Sequence, residues 1–588
     1  MKRTYPSLSK TLLKQYPLYI FLLTALMLCV IFLELLAMLS LAPVIDLLIH
    51  KDAAQYSGIT NQLLSIFHFF SLPFNLLSLL SLFVFCHFFK VIFSILYLKC
   101  SYYVNFSVIY DLIHTTFTAI FSASWSFFSN KKGGEFVNLL QQHISKTGLT
   151  VTYLAQFFSA LFQIFFFLYL PFRISWQVTL TVIIMGGLSF SFLYFFNKRV
   201  HFYSQKNILT SNQYLSFLNE SLNSLKLIFS FSKQAKTIKR LLRLFSKDYK
   251  IGVRIQLLQN TAEQLYQPIG FFLVAISLLF AKNINVPLSD LTVLLYALIR
   301  VIGPFRHLSF LRLSLSNTLP FYHSIVDTQL EALTHPQPTG KHIFSSFSHS
   351  LQLSSVSFSY LSSTPVLKNV SLQINKNDMT AFVGASGEGK STLIDLIAGF
   401  HSPQSGHIYI DNIPFSHFDI HSYRKKIGYV MQDSPLFNMS VKDNLLWANP
   451  NATQYDIDFA CEQANALEFI HDLPQGFDTL LGERGLRLSG GQCQRLALAR
   501  ALVIQPEILI LDEATSSLDS GSEKKIQASI QQLQGKMTVI VIAHRLSTIK
   551  QSDHIFVIKA GQIAESGTYQ QLLTNKALFA DMVAEQSF

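Results

Sequence analysis

The first half of the chain is a series of long apolar runs separated by polar, mostly basic connections. A run of about 20 mostly apolar residues is long enough to cross ~30 Å of hydrocarbon as a helix. The pattern predicts six membrane-spanning helices, at residues 17–45, 73–98, 147–172, 174–197, 264–281 and 288–316. Only Arg173 separates the third from the fourth, so we expect a tight helical hairpin there. The sequence therefore predicts an all-α transmembrane domain over residues 1–325.

The distribution of charge predicts how this domain is oriented. Residues 1–344 carry 28 Lys and Arg against 11 Asp and Glu, whereas residues 345–588 carry 18 against 23. Segment 198–254 alone holds 12 basic and two acidic residues, and Lys/Arg-rich connections stay on the cytoplasmic side of a membrane. We therefore expect the N-terminus and the long connections to be cytoplasmic in a multi-pass protein of a bacterial inner membrane.

Composition excludes several other classes of protein. Half of the residues are apolar and only 14% are charged, against about a quarter in soluble proteins. The five cysteines show no paired spacing, so neither a disulfide framework nor a Cys/His metal site is expected. The basic surplus lies in the apolar half without a basic-aromatic reading surface, so we do not expect nucleic acid as a partner.

The pattern of apolar and polar residues changes after a Pro- and Ser-containing stretch at residues 326–348. Beyond it, short apolar strands alternate with helical segments and Gly-rich turns, which is the pattern of an α/β domain. We interpret 326–348 as a linker and 349–588 as a separate α/β domain of the phosphate-loop type.

A glycine-rich loop in this second domain has the spacing of a phosphate-binding loop. The sequence Gly384-Ala-Ser-Gly-Glu-Gly-Lys-Ser391 matches G-x-x-x-x-G-K-[ST], and it lies between a short apolar strand and a helix, as that motif requires. Backbone N–H groups and the helix N-terminus would surround phosphate oxygens, Lys390 would neutralise the phosphates, and Ser391 would bind Mg²⁺. The predicted nucleotide-binding residues of this segment are Gly384, Ser386, Gly387, Gly389, Lys390, Ser391 and Thr392.

An apolar strand that ends in two acidic residues supplies a second candidate segment. In Ile508–Glu513, four apolar residues precede Asp512 and Glu513. Asp512 is predicted to hold Mg²⁺ and Glu513 to orient or deprotonate the attacking water. Taken alone, the segment is also compatible with a core strand that ends in a solvated acidic pair.

The segment Leu488-Ser-Gly-Gly-Gln492, followed by a helical run, resembles the signature sequence of ATP-binding cassette (ABC) proteins. On this resemblance Ser489, Gly490, Gly491 and Gln492 are expected to contact ATP. Tyr360 stands where the family has an aromatic residue that stacks on adenine, and Gln432 where it has a glutamine that senses Mg²⁺ and the attacking water. His544 matches a histidine that contacts the γ-phosphate, although a lone histidine after an apolar strand is more often structural.

The resemblance covers nearly the whole chain and is to ABC exporter half-transporters. It implies an ATPase, with ATP and Mg²⁺ as its cofactors, that drives transport across the membrane. Because each ATP in this family lies between the phosphate loop of one subunit and the signature of the other, it also implies a dimer, which we expect to be a homodimer. Segments 126–135 and 219–231 resemble the coupling regions of exporters, although solvated helix ends are an alternative for both. Cys493 stands where exporters usually have Arg or Lys.

The sequence indicates the transported molecule less directly than it indicates the ATP site. Charged residues inside a membrane are costly and usually face a cavity, so we expect Lys90, Arg300 and Arg306 to meet an anionic headgroup, with Phe-rich walls for acyl chains. Alternatively, the arginines reach the membrane surface or pair with Glu34. A lipid or lipid-linked amphiphile is favoured, a multidrug or peptide exporter is close behind, and a nucleotide-gated channel or regulator is less favoured.

Overall fold

In a computed structural model of the full chain, the structure describes residues 14–49, 58–129, 131, 133–180, 183–184, 194–283, 288–360, 365–482, 485, 487–513, 520–543 and 545–586. The chain divides into two compact units. The first comprises the residues up to Ala123 together with Phe127–His335, and the second comprises Ser124–Ser126 together with Pro336–Phe588.

Among its described residues, the N-terminal part of the chain, up to Thr334, forms helices and no strands. Its helices are α1 Pro17–Leu39, α2 Leu41–Ile49, α3 Gly58–Phe69, α4 Leu76–Phe121, α5 Trp125–Ser129, α6 Gly133–Asn138, α7 Ile144–Ile174, α8 Tyr194–Asn223, α9 Leu225–Ser230, α10 Gln234–Asn283 and α11 Leu288–Thr334. A π-helical turn, Leu139–His143, joins α6 to α7.

Among the described residues, four helical stretches are long and apolar enough to cross a membrane: Pro17–Leu48, Leu76–Phe121, Gly133–Ile174 and Leu294–Thr334. They contain or overlap the predicted spans at 17–45, 73–98, 147–172 and 288–316. The predicted span at 174–197 lies partly outside the described residues, and the one at 264–281 forms the last part of α10. Several helices extend well beyond a membrane's thickness, since 46 residues in α4 correspond to about 70 Å.

Local sequence explains where two of these helices start and stop. Asn75 caps α4, because its side chain accepts a hydrogen bond from the Ser78 N–H while the Ser78 hydroxyl accepts one from the Asn75 N–H. At the other end, α11 continues to Thr334, past the predicted domain boundary at residue 325. It stops just before Pro336, whose ring disfavours helical geometry in the preceding residue.

The second unit is built on two sheets. Its strands are β1 Ser350–Phe358, β2 Leu367–Asn375, β3 Met379–Val383, β4 Ser405–Ile410, β5 Ile413–Pro414, β6 Ile427–Val430, β7 Ile508–Asp512, β8 Thr538–Ile542, β9 His554–Lys559 and β10 Gln562–Gly567. Its helices are α12 Lys390–Ile397, α13 Ile420–Arg424, α14 Val441–Leu446, α15 Gln454–Gln463, α16 Leu467–His471, α17 Gly490–Leu502, α18 Ser520–Leu533, α19 Leu546–Lys550, α20 Tyr569–Thr574 and α21 Leu578–Gln586.

The larger sheet has the order β10-β9-β3-β8-β7-β6, and the smaller has the order β2-β1-β4-β5. In the larger sheet β9, β3, β8, β7 and β6 run parallel, and only β10 is antiparallel. All five residues of β3 and all five of β8 are buried, as expected for strands covered on both faces. Separate clusters of buried apolar side chains pack on the two faces of this sheet, which fixes the strand ends that carry the candidate site.

Candidate nucleotide site

Strand register gathers the predicted site residues at one edge of the larger sheet. The phosphate loop follows β3, Asp512 and Glu513 end β7, and Gln432 follows β6. Val430 on β6 pairs with Leu511 on β7, so Gln432 and Glu513, each two residues further on, leave the sheet side by side. The carboxyl ends of parallel strands are where open α/β sheets bind ligands.

The phosphate loop needs glycine at its two ends. Gly384 has φ +158°, and a Cβ there would overlap the carbonyl oxygen of Ile558. Gly389 has φ +100°, and a Cβ there would lie 2.8 Å from Cδ2 of Leu367. A larger residue at Gly384 would clash with backbone, and one at Gly389 would displace the Leu367 side chain. Close packing therefore restricts the two ends of the loop.

Lys390 is buried at the first residue of α12. Its Nζ donates hydrogen bonds to the carbonyl oxygens of Gly384 and Ala385, at 2.8 Å each. Burial lowers the pKa of Lys390, an effect opposed by the nearby carboxylates of Glu513, Glu388 and Asp512. The ammonium is thus fixed at the centre of the loop with acidic groups around it, where an anionic ligand would meet it.

The start of α12 has the character of an anion site. Its N-cap residue, Gly389, has no side chain that could accept hydrogen bonds from the first N–H groups of the helix. Those N–H groups are therefore available to an anionic ligand. Thr392, in the first turn, contacts the hydroxyl of Tyr360 at 3.1 Å. Tyr360 is 52% exposed, and its ring makes T-shaped contacts with Phe358 and His401. An exposed ring beside a phosphate loop offers a planar surface for a base.

Gln432 and Glu513 are in direct contact. The Gln432 side-chain N–H donates to the Glu513 carboxylate at 2.9 Å. Glu513 has φ +49°, a left-handed conformation that is unfavourable for a non-glycine residue and that clusters at functional sites. The strained turn after β7 directs its carboxylate toward Gln432 and the end of β6.

The residues at this edge have the chemistry to hold Mg²⁺. Asp512, Ser391 and Gln432 offer a carboxylate, a hydroxyl and an amide oxygen, and Mg²⁺ prefers oxygen ligands together with phosphates. Buried Lys390 and the open start of α12 provide the matching phosphate contacts. The donor set therefore fits a magnesium nucleotide.

Two further polar residues at this site were not identified from the sequence. Asp395 lies one turn along α12, where burial and then the neighbouring Asp512 raise its pKa to about 6. Tyr429 on β6 lies beside both carboxyl groups, and burial followed by their charges raises its pKa. The sequence signal for Asp395 was a lone carboxyl group in the apolar stretch Leu393–Ile397. Tyr429 had no such signal, because its position depends on strand pairing.

The predicted signature segment forms the capped start of α17. Ser489 is the N-cap: its hydroxyl accepts from the Gln492 N–H, and its own N–H donates to the Gln492 side chain. Ser489 and Gly490 are exposed, whereas Gly491 is buried. Cys493, in the first turn, is half-buried with its Sγ 3.7 Å from the Gly485 carbonyl oxygen. Burial raises the pKa of this thiol, so it is not a preformed thiolate.

Some predicted residues lie outside the described part of the chain. They include His544, which follows β8 in the sequence. Part of the first coupling-like segment, Asn130 and Lys132, is also outside it. Trp125, which directly precedes that segment and belongs to the second unit, has its ring centroid 5.8 Å from that of Phe400.

In the first unit, the predicted substrate residues fall into two groups. Lys90 Nζ lies 2.9 Å from one oxygen of Glu34, and Arg300 lies 3.3 Å from the other. Arg300 also donates to the hydroxyl of Tyr296 at 2.7 and 3.0 Å. Arg306 instead pairs with Glu263 at 3.7 Å. The structure thus brings Lys90 and Arg300 together around one carboxylate and places Arg306 in a separate ion pair.

Comparison with known proteins extends this picture to the whole chain. The profile of the ABC transporter family matches residues 367–516, and that of the ABC transporter transmembrane region matches residues 20–295. The chain is similar to the heterocyst differentiation ATP-binding protein HepA of Nostoc sp., with 35% identity over 77% of this chain and 74% of that protein. It is also similar to the ATP-dependent lipid A-core flippase of Saccharophagus degradans, with 31% identity over 82% of each chain.

A solved structure supports the fold. A bacterial Atm1-family ABC exporter with ATP bound aligns over 99% of both chains with a TM-score of 0.83, at 23% sequence identity. The predicted fold class, a helical membrane domain joined to an α/β nucleotide-binding domain, is confirmed. The chain belongs to the ABC exporters: it is a multi-pass half-transporter that binds ATP and couples its hydrolysis to transport across a membrane.

Proposed function

We propose that this exporter works as a homodimer in a bacterial inner membrane and moves an anionic amphiphile, a lipid or lipid-linked molecule, by alternating access. Its ATPase domains and N-terminus would then be cytoplasmic, on the side with the basic connections. The observation that carries the substrate class is the cluster formed by Glu34, Lys90 and Arg300, which we name the intramembrane charge cluster.

The intramembrane charge cluster has more positive than negative charge. Two cationic side chains share the single carboxylate of Glu34, whose side chain is 9% exposed, while those of Lys90 and Arg300 remain 26% and 36% exposed. Placing an ionisable side chain inside a membrane costs free energy, and such residues usually mark a functional site. The cations therefore keep accessible donors for a second anion, and a phosphate or carboxylate headgroup would complete the neutralisation.

The apolar environment suits the rest of such a substrate. Near Lys90 on α4, Val84, Phe85, Phe88 and Val91 are large apolar side chains that remain exposed in a single chain. The similarity to a lipid A-core flippase supports the same substrate class. A multidrug exporter would not require the two cations, so charge reversal at Lys90 and Arg300 distinguishes the two functions.

Two surfaces of the chain support a dimer. A Cβ at Gly490 would meet nothing within 4 Å, so the packing of this chain does not require glycine at the exposed signature. At the end of α8 and along α9, five large apolar side chains are 46–65% exposed in a segment predicted to be cytoplasmic: Leu222, Leu225, Leu227, Phe229 and Phe231. Exposed apolar patches outside a membrane mark protein interfaces, and we propose a second copy as the partner.

In the dimer, each ATP would lie between the phosphate loop of one copy and Ser489–Gln492 of the other. Lys390, the loop N–H groups and the partner's signature would bind the phosphates, with Tyr360 against the base and His544 at the γ-phosphate. Glu513, oriented by Gln432, would position or deprotonate the attacking water. Mg²⁺, held by Ser391, Gln432 and Asp512, would supply charge neutralisation at the phosphates.

Because ATP binds the closed dimer better than the open one, it would shift the membrane helices toward the outward-facing state, and hydrolysis would reverse that shift.

The test is ATP-driven movement of fluorescent lipids in proteoliposomes. An anionic lysophospholipid and its zwitterionic choline counterpart of equal chain length are compared as substrates. We expect ATP-dependent movement of the anionic lipid and at least a tenfold loss in Lys90→Glu and Arg300→Glu, because a reversed charge repels the headgroup. Arg306→Glu is measured alongside, and it should have a smaller effect because Glu263 balances Arg306 one to one, whereas Glu34 balances two cations.

The control is Lys250→Glu, the same charge change at an exposed residue of α10. It should keep wild-type transport. Equal transport of both lipids, or of neutral drugs in preference to either, would replace the anionic-amphiphile proposal with a multidrug function. Binding of ATP without turnover would instead favour a nucleotide-gated regulator.

A further inference from the structure

The phosphate loop of this exporter contains a carboxylate of its own. Glu388 lies between Gly387 and Gly389, in the loop that would receive a triphosphate. A negative charge there would repel the ligand if it faced the loop interior. The structure shows a different placement, because the Glu388 carboxylate accepts a hydrogen bond from the backbone N–H of Ala560. The charge is thereby held toward the neighbouring hairpin.

That hairpin ends in a tight turn, and the N–H of the first turn residue lies outside the strand ladder. Lys559 pairs with Gln562, so Ala560 and Gly561 form a two-residue loop between β9 and β10. Both have positive φ, +51° and +79°, as in a type I′ turn. Such a turn leaves the N–H of its first loop residue outside the strand ladder, and Glu388 is the acceptor that it meets.

The same hairpin contacts the phosphate loop at one further place and the start of β2 at another. The carbonyl oxygen of Ile558 packs so closely on Gly384 that a Cβ would overlap it. Gly561 packs equally closely on the carbonyl oxygen of Val366, and its own carbonyl accepts from the Lys368 N–H at 2.8 Å. A Cβ at Gly389, at the other end of the loop, would lie 3.2 Å from that Val366 oxygen. The loop, the start of β2 and the hairpin therefore form one mutually packed unit.

We propose that Glu388 is a positioning residue for nucleotide binding, which fixes the second half of the phosphate loop against the Ala560–Gly561 turn. Glycine makes this half intrinsically free to rearrange. The contact with Ala560 removes that freedom before ATP binds, so less conformational entropy is lost on binding. The same contact holds the Glu388 carboxylate at the Ala560–Gly561 turn.

The test separates nucleotide affinity from turnover in full-length protein reconstituted in nanodiscs. MgATP titrations give KM and kcat, and binding of a fluorescent ATP analogue gives an affinity without hydrolysis. Glu388→Ala is expected to raise KM and weaken analogue binding by about tenfold, the loss that a charge-assisted hydrogen bond predicts. Its kcat at saturating ATP should change by less than about threefold, because the residue does not touch the reacting atoms.

Two conservative variants distinguish the contact from the charge. Glu388→Gln keeps an acceptor at the same reach, so its KM should stay within about twofold of the wild type. Glu388→Asp keeps the charge but is one methylene too short, so it should behave like Glu388→Ala. If Glu388→Ala does not fold, the Gln and Asp variants alone decide the question. Unchanged KM in the Asp variant, or a KM in the Gln variant as high as in the Ala or Asp variant, would overturn the proposal.

Replacing Ala560 by lactic acid tests the other partner. This change converts the donating N–H into an ester oxygen and leaves the side chain as it was. The expected KM increase matches that of Glu388→Ala, and the double variant should be no worse than either single one, because both remove the same hydrogen bond. Additive losses in the double variant would contradict a shared contact.

Discussion

The two units of this chain encode their candidate sites in different ways. In the nucleotide-binding unit, the phosphate loop, the Asp512–Glu513 pair and the signature are short segments, and each carries its own chemistry. In the membrane unit, the intramembrane charge cluster joins α1, α4 and α11, whose residues Glu34, Lys90 and Arg300 are far apart in sequence. The ATP-site residues therefore come from short local segments, whereas the proposed substrate contacts depend on the packing of distant helices.

The largest effect should come from the strained end of β7. Glu513→Gln is expected to lower ATPase turnover by about 10²–10⁴-fold, the range for loss of a general base, and Lys390→Ala should reduce it to a similar degree. Steady-state phosphate release by the reconstituted protein measures this. Glu507→Gln changes a carboxyl group near the opposite end of the same strand and should turn over normally. Near wild-type activity of Glu513→Gln would contradict the assignment of Glu513 as the catalytic base, and with it the claim that short segments carry the ATP chemistry.

A large effect is also expected from the intramembrane charge cluster. Glu34→Gln leaves two partly buried cations without their counter-charge, which should destabilise the membrane unit by about 2–3 kcal/mol, less than a fully buried pair because both cations are partly exposed. Glu263→Gln breaks a longer and more exposed ion pair with Arg306 and should cost about 1 kcal/mol or less. Thermal unfolding in detergent compares the two variants. Equal losses would show that the cluster is an ordinary ion pair.

A smaller effect separates the two roles of Ser489. Ser489→Ala and Thr453→Ala each remove a capping-box hydroxyl, from α17 and α15, and each should cost about 1 kcal/mol of stability. If Ser489 also contacts ATP in the dimer, only its variant should lose ATPase activity, by about tenfold. Thermal unfolding and phosphate release, measured on the same samples, test this. Equal activity in both variants would reduce Ser489 to a helix cap.

The smallest effect concerns pH. The pKa of Asp395 is raised to about 6 in the folded protein, so the folded state binds a proton that the unfolded state has lost between about pH 4 and 6. This group's contribution to stability is complete below pH 4 and is lost as the pH rises through 6. Asp395→Asn should therefore flatten this slope and stabilise the unit at pH 7.5 by about 1 kcal/mol, after allowing for solvent screening. Denaturant unfolding without nucleotide or Mg²⁺ measures it, and an unchanged slope would refute the assignment.

The candidate nucleotide-site residues could be named from the sequence because they lie in short segments that each carry a recognisable pattern. Parallel pairing of β6 with β7 then brings Gln432 and Glu513 into contact. Among the described residues, four of the six predicted spans correspond to helical stretches that are long and apolar enough to cross a membrane, because the length of an apolar run reports on membrane thickness. Contacts that depend on long-range packing were not predictable. Glu388 meeting Ala560 and Tyr429 meeting Asp512 required the sheet order, and Arg306 pairing with Glu263 required the helix arrangement.

The central claim is that each working ATP site is built from two copies of the chain. The direct test co-expresses two inactive variants, Lys390→Ala and Ser489→Arg, and measures ATPase activity of the purified mixture in nanodiscs. Mixed dimers would contain one site with an intact loop and an intact signature, so activity should recover to about a tenth to a quarter of wild type, from random pairing. A mixture no more active than its two components would contradict the account.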